Sequence, residues 1–385
     1  MAATDCASPA TGPYAAPIGL FLMINTFETG GSERQCALLA QNANAAKFAV
    51  HVGCVNPRGP LAGQFREFAQ FPLGGSLFGW RSLRTRLALA RHLRQKQVQV
   101  AHAFDFYTNL TLVPAARLAR VPVVIGSHRQ LGDLLTPAQF RVQAATFRWC
   151  DAVVCNSQAG ADRLASAGIA REKLAVIGNA MPSKVFEPVP PALPRASNRP
   201  HVVMVARMNA HYKNHAGFLR IAAEVHKRIP DAEFLLVGDG PLRAEIEQQA
   251  AALGLGEHVL FLGDRRDIPA ILASSDISVL TSDSEGLSNV ILEAMAAGVP
   301  VVAYAVGGNP ELVNSERGAL ISAGNETEFA DAIWRLLSDA SLRREQGRNA
   351  RRFAEENFSL ARVCRQYEDL YEDLLDRKGR RRPIA

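Results

Sequence analysis

Short apolar runs alternate along this chain with longer stretches whose apolar positions recur at helical spacing. Residues 18–25, 50–55, 121–125, 201–206, 233–237, 259–263, 277–280 and 299–304 read as buried strands, each four to eight residues long. Between them the pattern predicts helices ending near residue 44, over 81–96, up to 228, and over 242–253, 268–274, 290–297, 326–338, 341–353 and 360–375. The helix at 290–297 has Ser288 or Asn289 as its N-cap and Gly298 as its C-terminal stop, and the strand after it carries Pro300 near its start.

Strand–helix alternation that runs through the chain twice predicts an α/β protein of two doubly wound parallel sheets, with functional residues at the C-terminal ends of the strands. Pro188, Pro190, Pro191, Pro194 and Pro200 mark residues 185–200 as the linker between a domain at 17–184 and one at 201–357. Residues 1–16, rich in Ala, Thr and Pro, read as a disordered tail. The apolar run at 18–24 is too short to span a bilayer and has no basic segment before it, so neither a targeting nor a transmembrane segment is expected.

Composition changes this picture little. At 48% hydrophobic and 21% charged residues, 385 residues can fill two cores. The six cysteines include no C-x-x-C pair, which argues against a zinc site or a disulfide framework and for reduced thiols in a cytoplasmic protein. Charge is uneven: residues 1–184 hold 19 Lys/Arg against 9 Asp/Glu, whereas residues 185–385 hold 24 against 28. Arg81, Arg84, Arg91 and Arg94 recur at helical spacing beside Leu83, Leu87, Leu89 and Leu93. Such a helix is suited to peripheral docking on an anionic membrane, or is a solvated face. The tail at 377–385 is also basic. No aromatic or recognition-helix pattern accompanies the charge, so no nucleic-acid partner is expected.

Candidate chemistry is concentrated at 280–311, where Glu285 in a turn and Glu293 in the following helix stand eight positions apart. The first amides of a helix attract an anion, and nearby carboxylates repel it unless they accept hydrogen bonds from hydroxyls. Phosphate on amides beside diols on carboxylates describes a nucleotide-sugar. Thr26–Gln35, with Gly30 and Gly31 between a strand and a helix, is a second loop that lets backbone approach a phosphate. Arg207 and Lys213 follow the first strand of the second domain; a planar guanidinium fork and a compact ammonium suit a diphosphate.

The spacing of Glu285 and Glu293, followed by Gly298–Ala303 and by Gly307–Glu311, resembles the retaining glycosyltransferases of family four, which have the two-domain GT-B fold. The resemblance covers roughly residues 17 to 375. It implies a donor on the second domain, with Glu293 on the ribose, Glu285 and the amides of Gly286 and Leu287 on the sugar, and the nucleobase in the loop 264–267 after the strand ending at Gly263. Arg207, Lys213 and the Gly31 loop would neutralise the departing diphosphate. It also implies that His128 reaches the reaction centre from a strand end, that His102 and Asp105 line the cleft, and that the helix at 358–376 returns to the first domain. Where the family has glycine after the asparagine of the segment closing that domain, Asn179 is followed by Ala180.

The resulting expectation is a cytoplasmic, metal-independent enzyme. It moves a hexose with retention from a UDP- or GDP-sugar to a glycan or lipid-linked acceptor of polysaccharide or glycolipid synthesis, with no cofactor beyond that co-substrate. Asp283-Ser284-Glu285 looks like a D-x-D metal motif but fits the glutamate pattern better. Alternatives are a sugar-nucleotide epimerase or phosphorylase-like enzyme, which would form product without an acceptor, and a silent carbohydrate- or lipid-binding protein, which has no need of all four charged residues. A Rossmann oxidoreductase lacks its G-x-G-x-x-G after the first strand.

Overall fold

A computed structural model describes residues 16–193 and 199–379. Residues 1–15 of the expected leading tail, Pro194 of the proline-rich segment and residues 380–385 of the basic tail lie outside the described residues.

The first domain is built on β1 (Ile18–Ile24), β2 (Phe48–Cys54), β3 (Ala69–Gln70), β4 (Val100–Ala103), β5 (Val123–His128), β6 (Ala152–Cys155) and β7 (Leu174–Val176). The second uses β8 (His201–Val205), β9 (Glu233–Val237), β10 (Val259–Gly263), β11 (Ile277–Leu280), β12 (Val301–Tyr304) and β13 (Gly318–Ile321). The sheet orders are β3-β2-β1-β4-β5-β6-β7 and β10-β9-β8-β11-β12-β13, with the strands paired in parallel. Strand order reverses between β1 and β4 and between β8 and β11. In open α/β sheets ligands settle at these switch points, outside the carboxyl ends of the strands.

Helices α1 (Gly31–Asn42), α2 (Trp80–Gln95), α3 (Phe106–Ala119), α4 (Pro137–Phe147) and α5 (Gln158–Ser166) follow the first-domain strands. In the second domain come α6 (His215–Arg228), α7 (Arg243–Ala252), α8 (Ile268–Ala273), α9 (Asn289–Ala296), α10 (Asn309–Leu312), α11 (Glu326–Ser338) and α12 (Ala340–Phe358). Both faces of each sheet are covered, which is why the strands read as unbroken apolar runs. Alternation is still visible in the packing: Leu20, Leu22 and Ile24 enter one core of the first domain, Phe21 and Met23 the other.

A last helix, α13 (Leu360–Arg377), crosses back. Val363, Tyr367, Tyr371 and Leu374, spaced three or four apart, join the β1 core of the first domain. Each such fully buried side chain stabilises by about 1.5–3 kcal/mol. The crossing is pinned at Met181, whose N–H donates to the Phe358 carbonyl at 2.7 Å and whose carbonyl accepts from Leu360 N–H at 3.0 Å.

The proline-rich segment is not a free strap. Val185, Phe186, Ala192 and Leu193 pack on the second domain's core, and the N–H groups of Ala192 and Leu193 donate to the Ala270 carbonyl and Ser274 Oγ at 2.9 and 3.0 Å. Val185 and Phe186 close a short 3-10 turn, Ser183–Phe186, and Ala192 and Leu193 lie against α8.

Candidate active site

The two switch points face each other across a cavity of about 460 Å³, within the roughly 300–1,000 Å³ usual for small-molecule sites. Its first-domain wall starts at the N-terminus of α1. The cap residue there is Gly30, which has no side chain to satisfy the first amides, so Gly31 presents backbone N–H to the cavity. Arg34, one turn into α1, reaches Glu293 Oε1 at 3.3 Å on the facing domain.

The second-domain wall comes from two loops tied together. After β8 the chain makes a short 3-10 turn, His211–Lys213, and enters α6 through Asn214, which adopts a left-handed φ of 54° and caps Gly217 N–H at 2.9 Å. Asparagine tolerates that conformation and caps as well, so one residue sets the direction of both Lys213 and α6. Asp283 N–H donates to the Tyr212 carbonyl at 2.8 Å and joins this loop to the glutamate turn. Lys213 Nζ then meets Glu285 Oε1 at 2.7 Å, with both side chains largely buried. Arg207 stretches across the cleft to Thr29, donating to Oγ1 at 2.7 Å.

The glutamate turn fits only glycine at two points. A Cβ on Gly286 would stand 2.6 Å from the Arg129 carbonyl oxygen, and one on Gly307, at φ +54°, would stand 1.7 Å from that of Glu285. Gly308 N–H donates to the Gly286 carbonyl at 2.8 Å. The second glycine pair thus supports the turn that holds Glu285. Behind it Ser288 caps α9, its Oγ accepting from Ile291 N–H at 3.4 Å. Glu293 follows on α9 with its carboxyl pushed up by burial, an effect that Arg34 opposes.

Seven of the eleven residues singled out in the sequence line this cavity: Gly31, Arg207, Lys213, Glu285, Gly286, Leu287 and Glu293. Four do not. His102 is fully buried, its Nδ1 hydrogen-bonded to the Tyr371 hydroxyl at 2.7 Å and its Nε2 to Ser127 Oγ at 2.8 Å, and burial pushes its imidazole down to about 3. It fastens α13 to the sheet. Asp105 caps α3, accepting from Thr108 N–H at 3.0 Å and from Asn25 N–H at 2.8 Å, and burial raises its carboxyl to about 6. His128 is boxed in by Phe140 and Phe147, and burial lowers it to about 4, an effect that the Leu131 backbone opposes. Gly263 makes the left-handed turn at the end of β10, φ +68°, and pairs with Gly238; Asp264 and Arg265 beside it line the cavity instead.

The cavity also holds residues that the sequence did not single out. Arg34 stands three positions after Gly31 on the same helix face, a spacing that was readable. Arg129 follows His128 and takes the place in the lining expected of that histidine. Both faces of β5 are buried, so the polar/apolar alternation that would have separated the neighbours is silent. Asn179 donates through Nδ2 to the Leu287 carbonyl at 3.0 Å and to Asn289 Oδ1 at 2.7 Å, and links the wall of the first domain to the start of α9.

Known proteins agree with this fold. The family model for glycosyltransferase family 4 matches residues 29–183, and that for glycosyl transferases group 1 matches residues 199–339. An N-acetyl-alpha-D-glucosaminyl L-malate synthase of Bacillus anthracis is 40% identical over 166 residues, a match covering 42% of either chain. This chain therefore aligns with less than half the length of that relative. A UDP-Gal:alpha-D-GlcNAc-diphosphoundecaprenol alpha-1,3-galactosyltransferase of Escherichia coli is 27% identical over 320 residues, covering 77% of this chain and 81% of its own. HepE of Anabaena, solved in complex with UDP, superposes with a TM-score of 0.80 at 24% identity, over 92% of this chain and all of that one, and shares the two-domain fold. With one family domain matched in each half and the two-sheet architecture around a shared cleft, the chain belongs to the family 4, group 1 glycosyltransferases of GT-B fold.

Proposed function

We propose that this protein transfers a sugar from a nucleoside-diphosphate sugar, UDP- or GDP-linked, to a glycan or lipid-linked acceptor, with retention of anomeric configuration and without an essential metal. The observation that carries the reading is the Lys213–Glu285 ion pair at 2.7 Å, set in one cavity with Arg207, Glu293 and the open amides of α1. Arg207 and Lys213 supply two cations for a leaving diphosphate, in a cleft where water is partly excluded and each charge acts more strongly than in bulk. Glu293 accepts hydrogen bonds from the ribose diol once Arg34 shares or releases it. Glu285, aligned by Lys213, orients the sugar together with Gly286 and Leu287.

Support for the donor class comes from HepE, solved with UDP and with UDP-glucose. Support for a glycan or lipid-linked acceptor comes from the Escherichia coli relative, named for a GlcNAc-diphosphoundecaprenol acceptor, and from a relative of Rhizobium meliloti named as a lipopolysaccharide core biosynthesis glycosyltransferase. A peripheral position on an anionic membrane is the extension we favour. Arg81, Arg84, Arg91 and Arg94 are exposed on α2, and Phe78, Trp80 and Leu83 beside its start are 68%, 69% and 45% exposed. Apolar side chains ringed by arginine suit an interface of lipid headgroups. The direct test is a transfer assay with UDP- and GDP-sugars and glycan acceptors in the presence of a chelator. An α-linked product from an α-linked donor, formed only with acceptor, agrees with the reading. Product without acceptor supports the epimerase or phosphorylase alternative.

A further inference from the structure

Arg129 is a half-buried guanidinium on the first-domain wall of the cavity. Nη2 donates to Asn179 Oδ1 at 2.5 Å, Nη1 to the Tyr367 hydroxyl at 3.2 Å, and the cation stands 5.9 Å from the centre of the Phe104 ring. These partners are neutral. Among the described residues no carboxylate lies within ion-pair distance of it, in contrast to Arg34 on Glu293, Lys213 on Glu285 and Arg265 on Asp267 in the same cavity. Its charge reaches Cys36, Cys155, His102 and Tyr367, and burial keeps all four uncharged near neutral pH. A cation withdrawn from water without a counter-charge is costly, and that cost is recovered when an anion arrives. Tying α13 to Asn179 alone would need only a neutral donor.

We propose that Arg129 reads an anionic group, phosphate or carboxylate, on the acceptor. The assignment rests on the transferase reading above: with the donor on the second domain, the first-domain wall, where Arg129 follows the end of β5, is left for the other substrate. Arg129 is fixed from three sides by Asn179, Tyr367 and Phe104, and its carbonyl abuts Gly286 next to Glu285. The guanidinium is therefore preorganised close to the transfer site, with N–H groups beyond the two already used and a fork that matches a carboxylate or phosphate. The acceptor class is an anionic sugar or a phosphate-linked glycan, and a neutral oligosaccharide is disfavoured.

The test uses the full chain saturated with whichever of UDP or GDP binds it. Glucose 1-phosphate, glucuronate and glucose are then titrated by saturation-transfer NMR against wild type, Arg129→Gln and Arg129→Lys. Wild type is expected to prefer one anionic sugar over glucose by about tenfold or more. Which of the two it prefers separates phosphate from carboxylate. Arg129→Gln should lose that preference while nucleotide affinity stays within about threefold, and Arg129→Lys should keep part of it. No preference in wild type, or a preference kept in Arg129→Gln, overturns the proposal. A matching fall in nucleotide affinity also overturns it, by assigning Arg129 to the donor diphosphate. If Arg129→Gln does not fold, the wild type and Arg129→Lys still decide. If neither nucleotide binds, the transferase reading fails separately, and the same sugars titrated alone still judge Arg129.

Discussion

Arg34 of the first domain and Glu293 of the second meet across the cleft at 3.3 Å, joining α1 to α9. Burial raises the Glu293 carboxyl and Arg34 lowers it. Arg34→Met removes the lowering influence, so Glu293 protonates at higher pH. Nucleotide affinity should then be lost at a higher pH on acidification than in wild type. Calorimetry between pH 5 and 8 checks this. A variant with wild-type affinity and pH profile would contradict it.

Glu311 shows how far local reading reaches. In the sequence it closes a glycine turn. In the structure its carboxylate accepts from Gln158 and Ala159 N–H at 2.9 and 3.1 Å, capping α5 of the other domain. Glu311→Ala should cost about 1 kcal/mol, as loss of a helix cap does. A lowered melting temperature with nucleotide affinity retained is the expected result.

Most strands were legible because both sheet faces are buried, and 233–237, 259–263 and 277–280 match their observed bounds. The second-domain site was legible for a related reason: Arg207, Lys213 and Glu285 lie in short turns between apolar runs, and Glu293 stands in an otherwise apolar helix. What stayed hidden were pairings at long sequence separation. His102 and Asp105 stand at strand and helix ends where clefts form, but Tyr371, 269 residues on, and Asn25 claim them. Ala180, placed where a glycine is expected, is not left-handed; the Gln35 amide brackets it, accepting from its N–H at 2.6 Å and donating to its carbonyl at 3.0 Å. Ala180→Gly should therefore lower stability by about 0.5–1 kcal/mol rather than relieve strain. Thermal melts check the sign.

Acid stability follows from the buried histidines. His102 and His128 have folded values of about 3 and 4, below the usual 6.5, so the unfolded chain binds more protons as pH drops. Their contribution is full above about pH 6.5 and is lost as pH falls toward 4. Asp105, raised to about 6, has the opposite sign between about pH 6 and 4 and offsets one of the two. Melting temperature should fall on acidification. It should fall less steeply in His128→Phe, where a ring of similar size cannot take up the proton.

At the membrane, Phe78→Ser with Trp80→Ser should abolish flotation with anionic vesicles and leave nucleotide binding unchanged. Flotation of this double variant equal to wild type would separate the exposed aromatics from any membrane role.

The account turns on donor recognition, so its central measurement is the binding and slow hydrolysis of a panel of nucleotide-sugars by wild type, Glu293→Ala and Lys213→Ala. One nucleotide-sugar is predicted to bind wild type, to bind Glu293→Ala at least about tenfold more weakly, and to bind Lys213→Ala without turnover. If wild type binds none of them, or if Glu293→Ala binds as wild type does, the GT-B fold stands and the assigned donor site does not.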